Sequence, residues 1–225
     1  MFPIPVSAIM IDLDGTLLDT IPDLAEATNR MLAELGEAAL PLPVIRTFVG
    51  KGITKLVERA LARHVDGTVP TARLGAALPV FERHYTAVNG RHTTVYAGVR
   101  EGLDQMKKAG FPLACVTNKA GAFTVPLLEY VGLASYFAVT VSGDTLPVKK
   151  PDPAPLRYAC EQLGVAPARM LMIGDSHNDV LAARSAGCPV FAVPYGYNEG
   201  RPVQATDVDA IVAALTDCMS LIKKV

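Results

Sequence analysis

The chain has 225 residues, half of them apolar and 19% charged, with a formal net charge of −1 at pH 7. This composition excludes a disordered chain and supplies a full core, and the length fits one large domain with an insertion or two modest domains. The near-neutral balance, with no basic run interleaved with aromatics, argues against nucleic acid as the main partner. The longest charge-free stretches, such as residues 130–143, fall short of the roughly 18 apolar residues that span a bilayer, so no membrane span is expected.

The apolar run over residues 2–11 lacks a basic region before it and a small-residue cleavage site, and reads as a strand rather than a secretory signal. Its last part, residues 6–11, is continuously apolar apart from Ser7 and closes on Asp12-Leu-Asp-Gly15, which suits a strand buried on both faces. Residues 17–93 then carry helical patterns and no convincing strand. One helix starts at Thr20, presents Leu24, Met31 and Leu35, and ends at Gly36; others are expected over residues 53–64 and 71–88.

A strand and helix alternation follows. Strand runs at 112–116, 137–141, 170–173 and 189–193 end at Thr117-Asn118, Ser142-Gly-Asp144, Gly174-Asp175 and Pro194. Helical stretches at 99–109, 154–163 and 179–186 each stop before a glycine able to take the left-handed cap conformation, Gly110, Gly164 and Gly187. The alternation implies an α/β fold, a doubly wound parallel sheet formed by residues 1–16 and 94–225, with an all-helical domain, residues 17–93, inserted over the sheet's carboxyl edge. Cys115, Cys160, Cys188 and Cys218 are scattered, without the close pairs of zinc or dithiol sites, and read as buried thiols of a reducing cytoplasm.

Polar residues gather where the strand runs end: Asp12 and Asp14 after the first, Thr117 after the second, Lys150 after the third, Asp175 and Asp179 after the fourth. In an open parallel sheet those ends form the ligand crevice, so loops distant in sequence should converge there. Like charges about 4 Å apart repel by roughly 4 kcal/mol at an effective dielectric near 20, so such a carboxylate cluster calls for a divalent cation. An all-oxygen donor set favours magnesium, which commonly bridges carboxylates to a phosphate. A small phosphorylated metabolite is the expected partner, with the chain a monomer or homodimer.

Asp12-Leu-Asp14-Gly-Thr-Leu, the run ending in Thr117-Asn118, Lys150-Pro151 and Gly174-Asp175-Ser-His-Asn-Asp179 resemble, in order, the four motifs of the haloacid dehalogenase superfamily. The helical insertion resembles that family's C1-type cap. Arg46-Thr-Phe-Val-Gly50-Lys-Gly52, Val88-Asn-Gly90 and Tyr96-Ala-Gly98-Val99 resemble its bacterial phosphoglycolate phosphatase branch, with Ala97 a departure where proline is expected.

The resemblance implies roles. Asp12 would attack phosphorus and form an aspartyl-phosphate; Asp14 would protonate the leaving alkoxide and then activate water. Thr117 and Asn118 would bind the substrate, and Lys150 would offset charge on Asp12 and the transferring group. Asp12, the backbone carbonyl of Asp14, and Asp175 would hold Mg2+, with Asp179 positioning a metal-bound water or Lys150. Arg46 and Lys51, flanked by Gly50 and Gly52, would face the substrate's carboxylate, although a solvated cationic helix face explains them equally well.

Taken singly, these residues have plain readings: Asp12 to Leu17 a turn, Thr117 a strand-end hydroxyl, Asp175 or Asp179 a helix N-cap, Lys149 and Lys150 a solvated pair. A calcium loop from Asp12 fails because Gly15 falls one step early and Asp23 replaces the expected glutamate. A receiver domain is shorter and orders its acids before the phosphoacceptor, and a dehalogenase lacks the counterpart of Asp14. A phosphomutase of the β-phosphoglucomutase type shares the core motifs and remains the alternative enzyme, as does another small-metabolite phosphatase. His177 lies within the fourth motif, at a variable place.

Overall fold

The computed structural model describes residues 2–225. The N-terminal apolar run divides at Ser7 into β1 (Ile4–Val6) and β2 (Ala8–Ile11). The expected single strand over residues 6–11 is therefore shorter, because Val6 belongs to a separate parallel pair formed with the C-terminal end of the chain. After β2 the chain turns at Gly15 into β3 (Leu18–Asp19) and enters α1 (Ile21–Glu34), α2 (Leu42–Phe48), α3 (Ile53–Ala62) and α4 (Thr71–Val88). It returns through β4 (Thr94–Val95), which pairs antiparallel with β3. That two-stranded ribbon corrects the reading of residues 17–93 as free of strand.

Helix α2, which begins between Pro41 and Pro43, is not among the helices expected from the sequence. Proline is tolerated in a helix's first turn, where its missing N–H has no partner to lose, so here it starts a helix. Leu35, expected on the buried stripe of α1, is its C-cap residue and is exposed, whereas Leu24 and Met31 are buried. The helical segment has its own core, with Met31, Ile45, Phe48, Val57, Phe81 and Tyr85 essentially inaccessible. Burying each such side chain contributes about 1.5–3 kcal/mol. Where the two connecting strands cross, the buried Asp23 carboxylate accepts hydrogen bonds from the N–H groups of Gly90, His92 and Thr93 at 2.7–3.1 Å and from the Thr93 hydroxyl at 2.7 Å, tying the two crossings together.

The remaining chain alternates: α5 (Val99–Lys108), β5 (Leu113–Val116), α6 (Gly121–Tyr130), β6 (Val139–Val141), α7 (Ala154–Leu163), β7 (Met170–Gly174), α8 (His177–Ala186), β8 (Val190–Ala192), β9 (Ala210–Ile211) and β10 (Ile222–Lys224). Six strands form one parallel sheet in the order β6-β5-β2-β7-β8-β9, while β10 pairs with β1. Successive strand residues point to opposite faces. Ile9, Ile11, Leu113, Cys115, Leu171 and Ile173 therefore meet α5 and the segment 215–222 on one side, and Met10, Ala114, Val116, Met170 and Met172 meet α7 and α8 on the other. Both faces are covered, as the apolar runs required. The strands after β2 are laid down first on one side of it, as β5 and β6, and then on the other, as β7 to β9, so the crevice opens where β2 ends. All four cysteines are free and buried, and no helix of the described residues is long and apolar enough to cross a membrane.

Candidate active site

Asp12 is the first residue after β2, and its backbone N–H still donates to Ile173 of β7, so the sheet holds its position. One carboxylate oxygen, Oδ1, accepts from the Lys150 ammonium at 2.8 Å. Lys150 directs its other N–H bonds to Asp179 Oδ1 at 2.7 Å and to the carbonyl of Val116 at 2.6 Å. All three lysine donors are thus committed. Asp179 is fixed in turn: it occupies the third position of α8, where its Oδ2 accepts from the N–H and hydroxyl of Ser176 in a capping box. The N-cap of this helix is Ser176 rather than Asp175 or Asp179; Asp179 at the third helical position closes the capping box with one carboxylate oxygen and accepts from Lys150 with the other.

Asp175 follows β7. Its Oδ1 accepts from the Thr16 hydroxyl at 3.2 Å, and its Oδ2 accepts from the backbone N–H groups of Tyr197 at 2.6 Å and Asn198 at 3.3 Å. Gly15 makes this approach possible. It has φ +90°, and a Cβ there would lie 2.5 Å from Asp175 Oδ2.

Oxygens of Asp12, Asp175 and Asp179 lie within 4.8 Å of one another, all buried. Burial raises the Asp12 pKa to about 8, with Lys150 pulling it down and the two neighbouring acids pushing it up. Burial and Asp179 likewise raise Asp175 to about 6, against the N–H groups of Tyr197 and Asn198. One lysine therefore leaves the cluster short of positive charge. An all-carboxylate oxygen set with a charge deficit is the donor chemistry that fits a magnesium ion. Asp12, Asp175 and Asp179 are the side chains that could hold one; Oδ2 of Asp12 carries no hydrogen bond among the described residues, whereas both oxygens of Asp175 and of Asp179 accept at least one.

Asp14 faces the same space. Its Oδ1 accepts from the Thr20 hydroxyl at 2.8 Å, and its carboxylate pairs with Lys119 at 3.1 and 3.3 Å. Thr117 is buried after β5, where its hydroxyl oxygen accepts from the backbone N–H of Lys119 at 3.2 Å and its proton is available to a ligand. The Asn118 amide donates to the carbonyls of Lys150 at 2.8 Å and of Gly50 at 2.9 Å, joining core to cap. These residues enclose a cavity of about 40 Å³, closed from above by Leu24, Val49, Gly50, Gly52, Ile53 and Leu56 of the helical segment.

The structure thus brings together Asp12, Asp14, Thr117, Asn118, Lys150, Asp175 and Asp179, and does not bring Arg46 or Lys51 into the cavity lining. The Arg46 guanidinium donates to the carbonyls of Tyr195 and Gly196 at 3.0 and 2.7 Å and lies over the Tyr197 ring. Lys51 is exposed and 3.5 Å from Glu199. His177 points away, toward Asp207 at 3.9 Å.

Sequence reasoning missed Lys119 and the loop 195–199. Lys119 is buried, donates to the Tyr85 hydroxyl at 2.5 Å, and lies 4.8 Å over that ring. Burial opposes its charge, but Asp14 and Tyr85 prevail and hold its pKa above the ordinary lysine value. Its signal was its place directly after Thr117-Asn118. The signal for the loop was that it too follows a strand end.

A parallel sheet with a buried carboxylate after its central strand, a lysine tying that carboxylate to a second acid, and a helical segment inserted beside it point to a hydrolase class, and the comparisons agree. The model of the haloacid dehalogenase-like hydrolases matches residues 6–187, and the chain belongs to that family. Its helical insertion is consistent with a C1-type cap. A phosphoglycolate phosphatase of Nitrosospira multiformis is 56% identical over 223 residues, covering 99% of this chain and 98% of its own. One from Thiobacillus denitrificans is 51% identical over the same shares. Among solved structures, a predicted phosphoglycolate phosphatase from Haemophilus somnus superposes with a TM-score of 0.88 at 32% identity, covering 95% of this chain and 96% of that one.

Proposed function

We propose that the chain is a magnesium-dependent phosphatase that hydrolyses 2-phosphoglycolate to glycolate and phosphate through an aspartyl-phosphate at Asp12. The observation that carries the mechanism is the tether on Asp12: Lys150 holds Oδ1 at 2.8 Å, leaving Oδ2 without a hydrogen bond among the described residues and facing the cavity. A carboxylate fixed by one oxygen presents the other for in-line attack without losing orientational freedom at the moment of reaction.

Asp14 would give its proton to the bridging oxygen as the ester bond breaks, then take one from the water that opens the aspartyl-phosphate. The Thr117 hydroxyl would donate to a phosphoryl oxygen, and Lys150 would offset the negative charge that Asp12 and the phosphoryl group bring together. Asp12, the Asp14 carbonyl and Asp175 would hold Mg2+, which when bound supplies charge neutralisation for the phosphate dianion. Asp179 keeps Lys150 in place. Residues 17–93 form the cap in this reading, residues 1–16 and 94–225 the catalytic core, and the protein works in the cytoplasm. The named relatives favour the two-carbon ester, and the small cavity favours a small substrate.

A panel of phosphate esters assayed with magnesium tests the substrate. The expected result is a preference for 2-phosphoglycolate; a wide preference for a sugar phosphate would overturn the assignment and leave the phosphatase mechanism standing.

A further inference from the structure

An ammonium carries three N–H donors. Lys150 spends all of them, on Asp12, Asp179 and the Val116 carbonyl. Lys119 is different. It directs one donor toward the Asp14 carboxylate and one toward the Tyr85 hydroxyl, and the third has no acceptor among the described residues. Lys119 and Lys150 are the cations lining the cavity among the described residues; no arginine or histidine does. The side chain is 2% exposed and lines the cavity, so bulk water is largely excluded from this remaining donor.

Its neighbour fixes what it can meet. In the proposed reaction Asp14 lies against the bridging oxygen of the ester. In 2-phosphoglycolate a single methylene separates that oxygen from the carboxylate carbon, so the carboxylate arrives beside whatever group adjoins Asp14. Two groups adjoin Asp14: the Thr20 hydroxyl, 2.8 Å away, does not line the cavity, whereas the Lys119 ammonium, 3.1 Å away, belongs to a residue that does. Arg46 and Lys51 are engaged with the loop 195–199 outside the cavity. Lys149 approaches the rim, its Nζ 3.1 Å from where a Cβ on Gly52 would stand, without lining the cavity.

We propose that Lys119 is the specificity-determining cation, receiving the substrate's carboxylate on its remaining donor while Lys150 serves the phosphoryl end. The inference rests on the phosphoglycolate reading. Tyr85 belongs to α4, so the selecting ammonium is set by core and cap together: the ring below it and the hydroxyl beside it hold the charge without adding a second anion.

Two roles of Lys119 separate by substrate. Orienting Asp14 affects every ester, whereas pairing with a carboxylate affects acidic esters alone. Lys119→Met, Lys119→Arg and Lys149→Met are compared with wild type on 2-phosphoglycolate and ethyl phosphate, with folding checked by thermal melting. Lys119→Met should lower kcat/KM for 2-phosphoglycolate about tenfold or more beyond its effect on ethyl phosphate, largely through KM, which is the size of a lost charge-assisted contact. Lys119→Arg should recover part of the difference, and Lys149→Met should leave the ratio unchanged. If Lys119→Met does not fold, Lys119→Gln, which keeps a donor for Asp14 and Tyr85, makes the same comparison. Equal losses on both esters, or a selective loss in Lys149→Met, would overturn the inference. Wild type showing no preference for 2-phosphoglycolate would instead overturn the substrate reading itself.

Discussion

The crevice at the sheet's carboxyl edge and the helical segment above it contribute opposite things to one cavity. In the crevice the charged side chains are held by fixed partners, most of them from another strand end: Lys150 bonds Asp12 and Asp179, Thr16 and the loop 195–199 bond Asp175, and Ser176 bonds Asp179 within one loop. The helical segment offers that space mainly Leu24, Val49, Ile53, Leu56 and glycine backbone. Its cations turn instead to the core loop: Arg59, buried, reaches Glu199 at 2.6 Å and the Phe48 carbonyl at 2.8 Å, while Arg46 reaches the carbonyls of Tyr195 and Gly196. In the proposed mechanism charge on the core side serves the reaction, whereas cations of the helical segment bond the core loop, so sign alone does not identify a substrate contact.

The comparison breaks most sharply at Asp12. Asp12→Asn keeps the shape and the bond to Lys150 but loses the nucleophile, and turnover should fall by about four orders of magnitude or more with the melting temperature little changed. Removing divalent metal with a chelator should abolish activity, and magnesium should restore it, because the buried carboxylates and a phosphate dianion otherwise repel one another; full activity in excess chelator would refute the ion's role. Asp14→Asn should slow both formation and hydrolysis of the intermediate by about 10²–10⁴-fold in rapid-quench measurements, since one carboxyl acts first as acid and then as base.

The cap side should respond weakly and without discrimination. Arg46→Ala, which frees two loop carbonyls, should lower kcat/KM by only about threefold to tenfold, a loss of roughly 1 kcal/mol, and equally for 2-phosphoglycolate and ethyl phosphate. Lys51→Ala, removing an exposed ion pair, should change either by less than about twofold. A loss confined to the acidic ester in either variant would return these residues to the substrate contact that the charged, glycine-containing stretch Arg46 to Gly52 first suggested.

What was legible in the sequence follows from what is local. Apolar runs that close on Asp12, Thr117 and Gly174 announce buried parallel strands, and their ends announce the crevice, because the geometry of a parallel sheet sends all those ends to one edge. The pairing of Ile4–Val6 with Ile222–Lys224 joins the two ends of the chain and leaves no local trace. Helix α2, and α6 with Pro126 inside it, were hidden by prolines that read as breaks. The contacts of Arg46 and Lys119 are long-range, so composition identified charged residues near glycines or near a motif without saying which face each would meet.

Acid quench during turnover of 2-phosphoglycolate with magnesium, followed by peptide mapping, shows whether phosphate passes through Asp12. Phosphate should appear on the peptide carrying Asp12 and vanish in Asp12→Asn. Phosphate on any other side chain, or ordinary turnover by Asp12→Asn, would contradict the account.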